Sequence, residues 1–235
     1  INKESSQKAK SFYQNFVEGE IYITNARTAE MCKLTENSAR DAQIAFANEL
    51  SMICDEAEIN VWELIKLANK HPRVNILNPG IGVGGHCIAV DPWFLVADFP
   101  EEAKLIKHVR EINKFKTKWC VNKIINLANK YKEKKQGAPK IACMGLSYKP
   151  NVDDLRESPA VEIVNSLYNQ GYDLLIVEPN VNSKSIYKIE SIEKALSCAD
   201  IVVWLVAHDE FKNKEISENI IEIDSFGRIA QVTLL

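Results

Sequence analysis

No apolar run in this chain approaches the ~18 residues that a membrane-crossing helix needs. The longest strongly apolar stretch, 201–207, is short and β-branched, as a buried strand would be. No CxxC pair and no small-domain disulfide spacing is present among the six cysteines, at positions 32, 54, 87, 120, 143 and 198. Most of them sit inside apolar patterns, where a free thiol behaves as a small hydrophobe, and a reducing, cytoplasmic setting is the expectation. An excess of positive charge is missing too. The formal net charge of -3 argues against a nucleic-acid binder built on a basic surface. The cluster Lys130, Lys132, Lys134 and Lys135 is interrupted by Glu133 and reads as a solvated helix end. No metal-ligand spacing surrounds the histidines at 71, 86, 108 and 208. The first residues, Ile1-Asn2-Lys3-Glu4, hold neither an initiator Met nor an apolar signal core, and read as the middle of a longer protein.

What is present is a change of pattern along the chain. Helical periodicity over 5–18 places Ala9, Phe12, Tyr13 and Phe16 on one face, and a short β-type segment follows at 21–24. Thr28 is a candidate N-cap for a long helix through Met31, Leu34, Ile44 and Ile53, and Asn60 for another over about 60–70. Helices are expected again near 92–98 and from about 101 to 134. Gly137-Ala138-Pro139 then ends the long helix and marks a domain boundary. Beyond it, strands at 140–145, 173–178, 201–206 and 220–223 alternate with helices at 158–170 and 191–197, which predicts a parallel sheet covered on both faces. The fold class is α/β: an all-helical central domain (25–136) joined by a long helix to a small Rossmann-like domain (137–235).

Four of the nine glycines fall within Gly80-Ile81-Gly82-Val83-Gly84-Gly85, directly before His86 and Cys87. Glycines let a ligand approach the main chain closely, and a thiol near a helix start would find unpaired N–H groups that favour a thiolate and could hold an oxyanion. A buried structural cysteine in a tight turn is the alternative. His86 is adjacent to Cys87, so the two side chains diverge and it is a poor base for that thiol. Asp91 precedes Pro92 and is either the N-cap of the next helix or a catalytic carboxylate. Lys33 and Asn37 share a helix face. Either they stabilise negative charge on a substrate oxygen, or they belong to a solvated face with Glu36 and Arg40. Lys140 to Met144 leads into Gly145, as a strand followed by a glycine turn opens nucleotide-binding α/β domains. No G-x-G-x-x-G is present, and Glu178 lies 33 residues beyond Gly145 where the dinucleotide fingerprint expects ~20. Lys149 in this setting suits a nucleotide phosphate better than a dinucleotide.

Taken together these segments resemble the UDP-glucose/GDP-mannose dehydrogenase family over nearly the whole chain. The stretch from Pro79 through Cys87 to Phe94 is similar to the family's catalytic cysteine motif. Glu30-Met31-Cys32-Lys33-Leu34-Thr35-Glu36-Asn37 upstream matches in order, as do Gly145-Leu146-Ser147-Tyr148-Lys149-Pro150 and Asp154-Leu155-Arg156-Glu157-Ser158 downstream. The resemblance implies an NAD-dependent enzyme that oxidises a sugar C6 alcohol twice, with Cys87 forming a thiohemiacetal and then a thioester that water hydrolyses. It further implies Lys33 and Asn37 at the reacting oxygen and Asp91 in water or proton movement. Arg73 would reach a neighbouring subunit's UDP-sugar, with Gly84, Gly85, Tyr148, Lys149 and Arg228 as substrate contacts. The Asp154–Arg156 pair is expected to be structural. His86 before the cysteine and Ala89-Val90-Asp91-Pro92-Trp93 after it resemble the branch acting on UDP-N-acetyl-D-mannosamine, with UDP-N-acetylglucosamine and UDP-glucose enzymes as competitors. The family's N-terminal NAD-binding domain has no counterpart here, residues 1–24 resembling only its tail, so the chain by itself is expected to lack turnover. The long helices would form a homodimer core. A cysteine hydrolase would need a histidine base that no motif supports, and a noncatalytic nucleotide-binding or dimerisation module is the remaining alternative.

Overall fold

The computed structural model describes residues 2–181 and 187–225. Helix α1 (Lys3–Tyr13) buries none of its side chains. The rings of Phe12, Tyr13 and Phe16 instead meet one another edge to face on the surface. The segment 21–24 is not a strand: among the described residues no strand pairs with it, and Tyr22 is 80% exposed. Propensity alone does not make a strand without a partner to satisfy its backbone.

Helix α2 (Ala26–Glu56) starts two residues before Thr28. Its cap is Asn25, whose side chain accepts from the Thr28 N–H, so the threonine lies inside the first turn. Helix α3 (Val61–Ala68) is capped by Asn60 as expected, and α4 (Pro92–Asp98) begins with proline at its first position. Helix α5 (Lys104–Lys135), at ~1.5 Å per residue, is about 48 Å long. Its end is set by Gln136 in a left-handed conformation, one residue before Gly137.

The C-terminal sheet contains β1 (Lys140–Met144), β2 (Asp173–Val177), β3 (Ile201–Trp204) and β4 (Ile221–Asp224), all parallel in the order β2-β1-β3-β4. Helices α6 (Pro159–Asn169) and α7 (Ile192–Cys198) connect them. Because side chains alternate along a strand, Ile141, Cys143, Ile201 and Val203 face α6, while Ala142, Met144, Val202 and Trp204 face α7 and Phe211. Burial pushes the Cys143 thiol up to about 12, so it is inert.

The two halves share α5. Its C-terminal part lays Cys120, Val121, Ile124 and Ala128 on the β-sheet. Its N-terminal part packs on α2 through polar rather than apolar contacts. Arg110 pairs with Asp41 at 2.7 Å, Asn113 donates to Asp41 Oδ1 at 2.7 Å, and Asn48 donates to Asn113 at 2.9 Å. All four side chains are essentially buried. Burial pushes the Asp41 carboxyl up from its ordinary value against the opposing pull of Arg110. Lys116, also buried, donates to Ser51 at 3.0 Å and lies over the Trp119 ring. Burial lowers its pKa. Among the described residues no helix is long and apolar enough to cross a membrane.

Candidate active site

The glycine-rich segment is suspended between both halves of the molecule. Its start is tied to the central helices: Gly80 N–H donates to Asn48 Oδ1 at 2.8 Å, and Thr117 Oγ donates to the Ile81 carbonyl at 2.9 Å. Its end meets the turn that follows β1. Gly85 N–H donates to the Arg156 carbonyl at 3.1 Å, and a β-carbon on Gly85 would stand 2.7 Å from Tyr148 Cε2. At Gly84 a β-carbon would collide with the Glu157 carbonyl. The glycines are therefore present because the backbone of one domain passes directly against the other. Gly85 has φ +84, a region other residues enter only with strain. Gly85→Ala should cost about 1–2 kcal/mol of stability from this strain alone. It should also displace the Tyr148 ring, seen as a lower thermal midpoint together with weaker UDP binding by calorimetry.

Cys87 follows immediately and is half-buried. Its carbonyl accepts from the N–H groups of Val90 at 3.0 Å and Asp91 at 2.7 Å, so the chain makes one turn between the thiol and Asp91. Asp91 does not cap α4 with its side chain. Its carboxylate accepts from Asn37 Nδ2 at 2.5 Å, and Asn37 Oδ1 accepts from Lys33 Nζ at 3.3 Å. Lys33, Asn37, Asp91 and the Cys87 backbone thus form one chain of contacts, assembled from α2 and the entry to α4. Asn37 is buried, but Lys33 is not desolvated, with its side chain 62% exposed and 3.8 Å from Glu36. The turn places it at the edge of the site, open to a substrate.

Tyr148 and Lys149 stand directly after β1. The strand order reverses direction between β1 and β3, and ligands of open α/β sheets bind outside the strand ends at such a point. Lys149 is exposed, with its ammonium 5.4 Å from the Tyr148 ring centre. The turn beneath them is fixed by Glu178, whose Oε2 accepts from the N–H groups of Leu146 at 2.7 Å and Ser147 at 2.9 Å. His208 Nδ1 accepts from the Asn151 N–H, so Nε2 carries the ring proton toward Glu178, 3.1 Å away. Burial works against charge on Glu178, yet hydrogen bonds from His208 and the backbone outweigh it and hold the carboxyl below its ordinary range. Ser147, His208 and Glu178 are not a nucleophilic triad. Both partners address the same ring nitrogen, and all three are buried.

This turn also decides the fit to a dinucleotide. In Rossmann domains the first turn's N–H groups are free for a pyrophosphate. Here the Glu178 carboxylate takes the N–H groups of Leu146 and Ser147, so neither is free for the pyrophosphate of a dinucleotide. The described residues do not fit NAD at this turn.

Arg73 is exposed between α3 and the glycine segment, and its backbone N–H donates to His71 Nδ1 at 3.3 Å. The structure does not bring it to Cys87. Arg228 lies outside the described residues. Among the described residues no cluster of His, Cys, Asp or Glu could hold a metal ion. One element was missed by sequence reasoning, the Glu178–His208 support, whose partners are 30 residues apart. The Asp154–Arg156 segment, expected to be structural, is joined to the cysteine segment by the Gly85 contact.

Residues 27–115 match the UDP-glucose/GDP-mannose dehydrogenase family, central domain, and residues 142–226 match the UDP binding domain of that family. The chain belongs to the UDP-glucose/GDP-mannose dehydrogenase family. It is 54% identical over 217 residues to a UDP-N-acetyl-D-mannosamine dehydrogenase of Salmonella typhimurium, covering 88% of this chain and 51% of that protein. It is 53% identical over 229 residues to an NDP-N-acetyl-D-galactosaminuronic acid dehydrogenase of Ralstonia solanacearum, covering 94% and 53%. Among solved structures, a UDP-D-ManNAc dehydrogenase from Pyrococcus horikoshii superposes with a TM-score of 0.85 at 38% identity, covering 97% of this chain and 55% of that one. The UDP-N-acetyl-mannosamine dehydrogenase Cap5O from S. aureus gives 0.82 at 41% identity, covering 100% and 57%. The chain spans about half the length of the curated relatives it matches.

Proposed function

We propose that this chain is the catalytic-cysteine and UDP-sugar-binding half of an NAD-dependent dehydrogenase that converts UDP-N-acetyl-D-mannosamine to UDP-N-acetyl-D-mannosaminuronate. The observation that carries the reading is the contact chain Lys33–Asn37–Asp91 ending one backbone turn from Cys87. Relatives named for N-acetylated amino sugars support the substrate class.

Removal of a hydride from the C6 alcohol gives an aldehyde, and the Cys87 thiolate adds to its carbon as a thiohemiacetal. Loss of a second hydride leaves a thioester. Water then releases the carboxylate and returns the thiol. Per sugar, one water is consumed and two hydrides leave. NAD supplies the oxidising power, and its site lies outside the residues described here. Lys33 is placed to oppose negative charge on the reacting oxygen. Asn37, engaged at both ends, fixes the spacing between Lys33 and Asp91, and Asp91 is the acceptor for a proton from water or from the thiohemiacetal. Gly84 and Gly85 let substrate and Tyr148 approach the main chain. Lys149 neutralises phosphate in the β1–β3 crevice, and Arg73 and Arg228 complete the substrate contacts, Arg73 from a neighbouring subunit. Residues 1–24 belong with the NAD-binding domain, 25–136 with the dimer core and 137–235 with the UDP-sugar. Exposed Phe46 and Ile53, seven apart on α2, support a homodimer through that helix.

In the whole protein containing this chain, UDP-N-acetyl-D-mannosamine should yield two NADH per sugar, and UDP-N-acetylglucosamine and UDP-glucose little. The chain alone should bind UDP and form no NADH. Two NADH on another sugar would replace the substrate and keep the mechanism. One NADH per sugar would remove the thioester from it.

A further inference from the structure

The turn after β1 does more than carry Tyr148 and Lys149. It runs on through residues 150–158 and comes back against the cysteine segment. Two backbone hydrogen bonds and one from a side chain define that return. Tyr148 N–H donates to the Asp154 carbonyl at 3.1 Å, Gly85 N–H donates to the Arg156 carbonyl at 3.1 Å, and Ser158 Oγ donates to the Leu146 carbonyl at 2.6 Å. Between them Asp154 and Arg156 close on each other. Asp154 Oδ1 accepts from the Arg156 N–H and Nε, both at 3.0 Å, and Oδ2 accepts from Nη2 at 2.7 Å. A planar guanidinium meeting a carboxylate in this forked way fixes direction as well as distance. Glu157, the next residue, has φ +50, a conformation that needs such support from its surroundings.

One further approach turns this closure toward the cysteine segment: His86, the residue before Cys87, has its Nδ1 4.0 Å from Asp154 Oδ2. The closure is not a buried ion pair kept for stability. The Arg156 side chain is 64% exposed, and exposed pairs contribute little to folding.

We propose that Asp154 and Arg156 are positioning residues for Cys87, a clip through which the UDP-binding domain sets the place of the thiol. Nothing else among the described contacts ties the last glycine before His86-Cys87 to the C-terminal domain by a backbone hydrogen bond. The same turn presents Tyr148 and Lys149 to the nucleotide, so nucleotide contact and thiol placement share one backbone segment. The Arg156 hydrogen bond holds the Asp154 carboxyl down to about 2, so the pair remains ionised at neutral pH.

The proposal rests on Cys87 being the nucleophile, and its test separates the two ideas. Hydrogen exchange of the segment 82–90 is measured in the chain itself, and kcat and substrate Kd in the whole protein containing it. Asp154→Ala should speed exchange across 82–90 by about tenfold or more. It should lower kcat on the order of 10²-fold, the scale of a small misplacement of a reacting group, while Kd for the UDP-sugar stays within about twofold. Asp154→Asn keeps the Oδ1 acceptor for the Arg156 N–H and should fall between wild type and alanine in both readouts. Unchanged exchange in Asp154→Ala overturns the clip. So does a parallel loss of kcat, affinity and thermal midpoint, which would mark a merely structural pair. Acid formation surviving in Cys87→Ser would instead sink the nucleophile and leave the exchange result standing.

Discussion

Replacing Cys87 by serine in the whole protein should remove net acid formation, by on the order of 10³-fold or more. A serine hydroxyl in the same place is a far weaker nucleophile than a thiolate, and neither nearby histidine is placed to activate it. His86 turns toward Asp154, and the buried His208 is engaged with Glu178 and Asn151. The affinity for UDP-sugar should change little, because the contacts assigned to the nucleotide lie on the β1 turn and not on the thiol. The decisive measurement is NADH and acid yield at saturating substrate, beside UDP-sugar Kd by calorimetry. Wild-type acid yield from the serine variant would mean that the aldehyde is oxidised as its hydrate, with Cys87 a packing residue in a tight turn.

The largest effect on stability is expected far from the thiol, at Arg110. Arg110→Leu should destabilise the chain by about 3–5 kcal/mol at neutral pH, because it leaves the Asp41 carboxylate buried without its cation. The pH dependence has a definite sign. Burial already raises the Asp41 carboxyl above its ordinary value of 3.8, even with Arg110 in place. Ionising it therefore costs the folded chain more than the unfolded one, and stability from this group falls as pH rises through the raised value. Without Arg110 that rise is larger. The deficit of the variant should then be greatest near pH 7 and smaller at mildly acidic pH, as Asp41 takes a proton. Urea melts at the two pH values read this directly. A deficit that grows on acidification would mean that the pair is not the source of the loss. The same substitution should also loosen the glycine segment, since Asn113 holds Asn48, and Asn48 holds Gly80.

Much of the C-terminal domain was legible because its cause is local. Continuous apolar runs in 140–144 and 201–204 read as strands buried on both faces, and the sheet follows from their spacing. The cysteine segment was legible for a different reason: glycines cluster where two backbones touch, and four of them announce the contact without naming its other side. The polar helix interface was hidden. Asp41, Asn48, Arg110 and Asn113 carry the helical spacing of solvated faces, and each finds its partner some 65 to 72 residues away. The Asp154–Arg156 pair was read as structural because two charges at i and i+2 look like a local turn. Only the Gly85 contact shows what the turn is holding. The segment 21–24 erred the other way, with strand-forming residues and no strand beside them.

Gly137 is a clean border in the sequence, yet the molecule has no corresponding seam. The face of the sheet made by Ile141, Cys143, Ile201 and Val203 shares one apolar core with Cys120, Ile124 and Ala128 of α5. The other end of that helix is bolted to α2 by ions and amides. Cutting at the border would strip the sheet of part of its lid and leave the apolar end of α5 facing water, while the Asp41–Arg110 pair stayed whole on the helical side. The two halves should therefore melt in one transition, with the glycine segment tied at Ile81 to Thr117, near the middle of the rod they share.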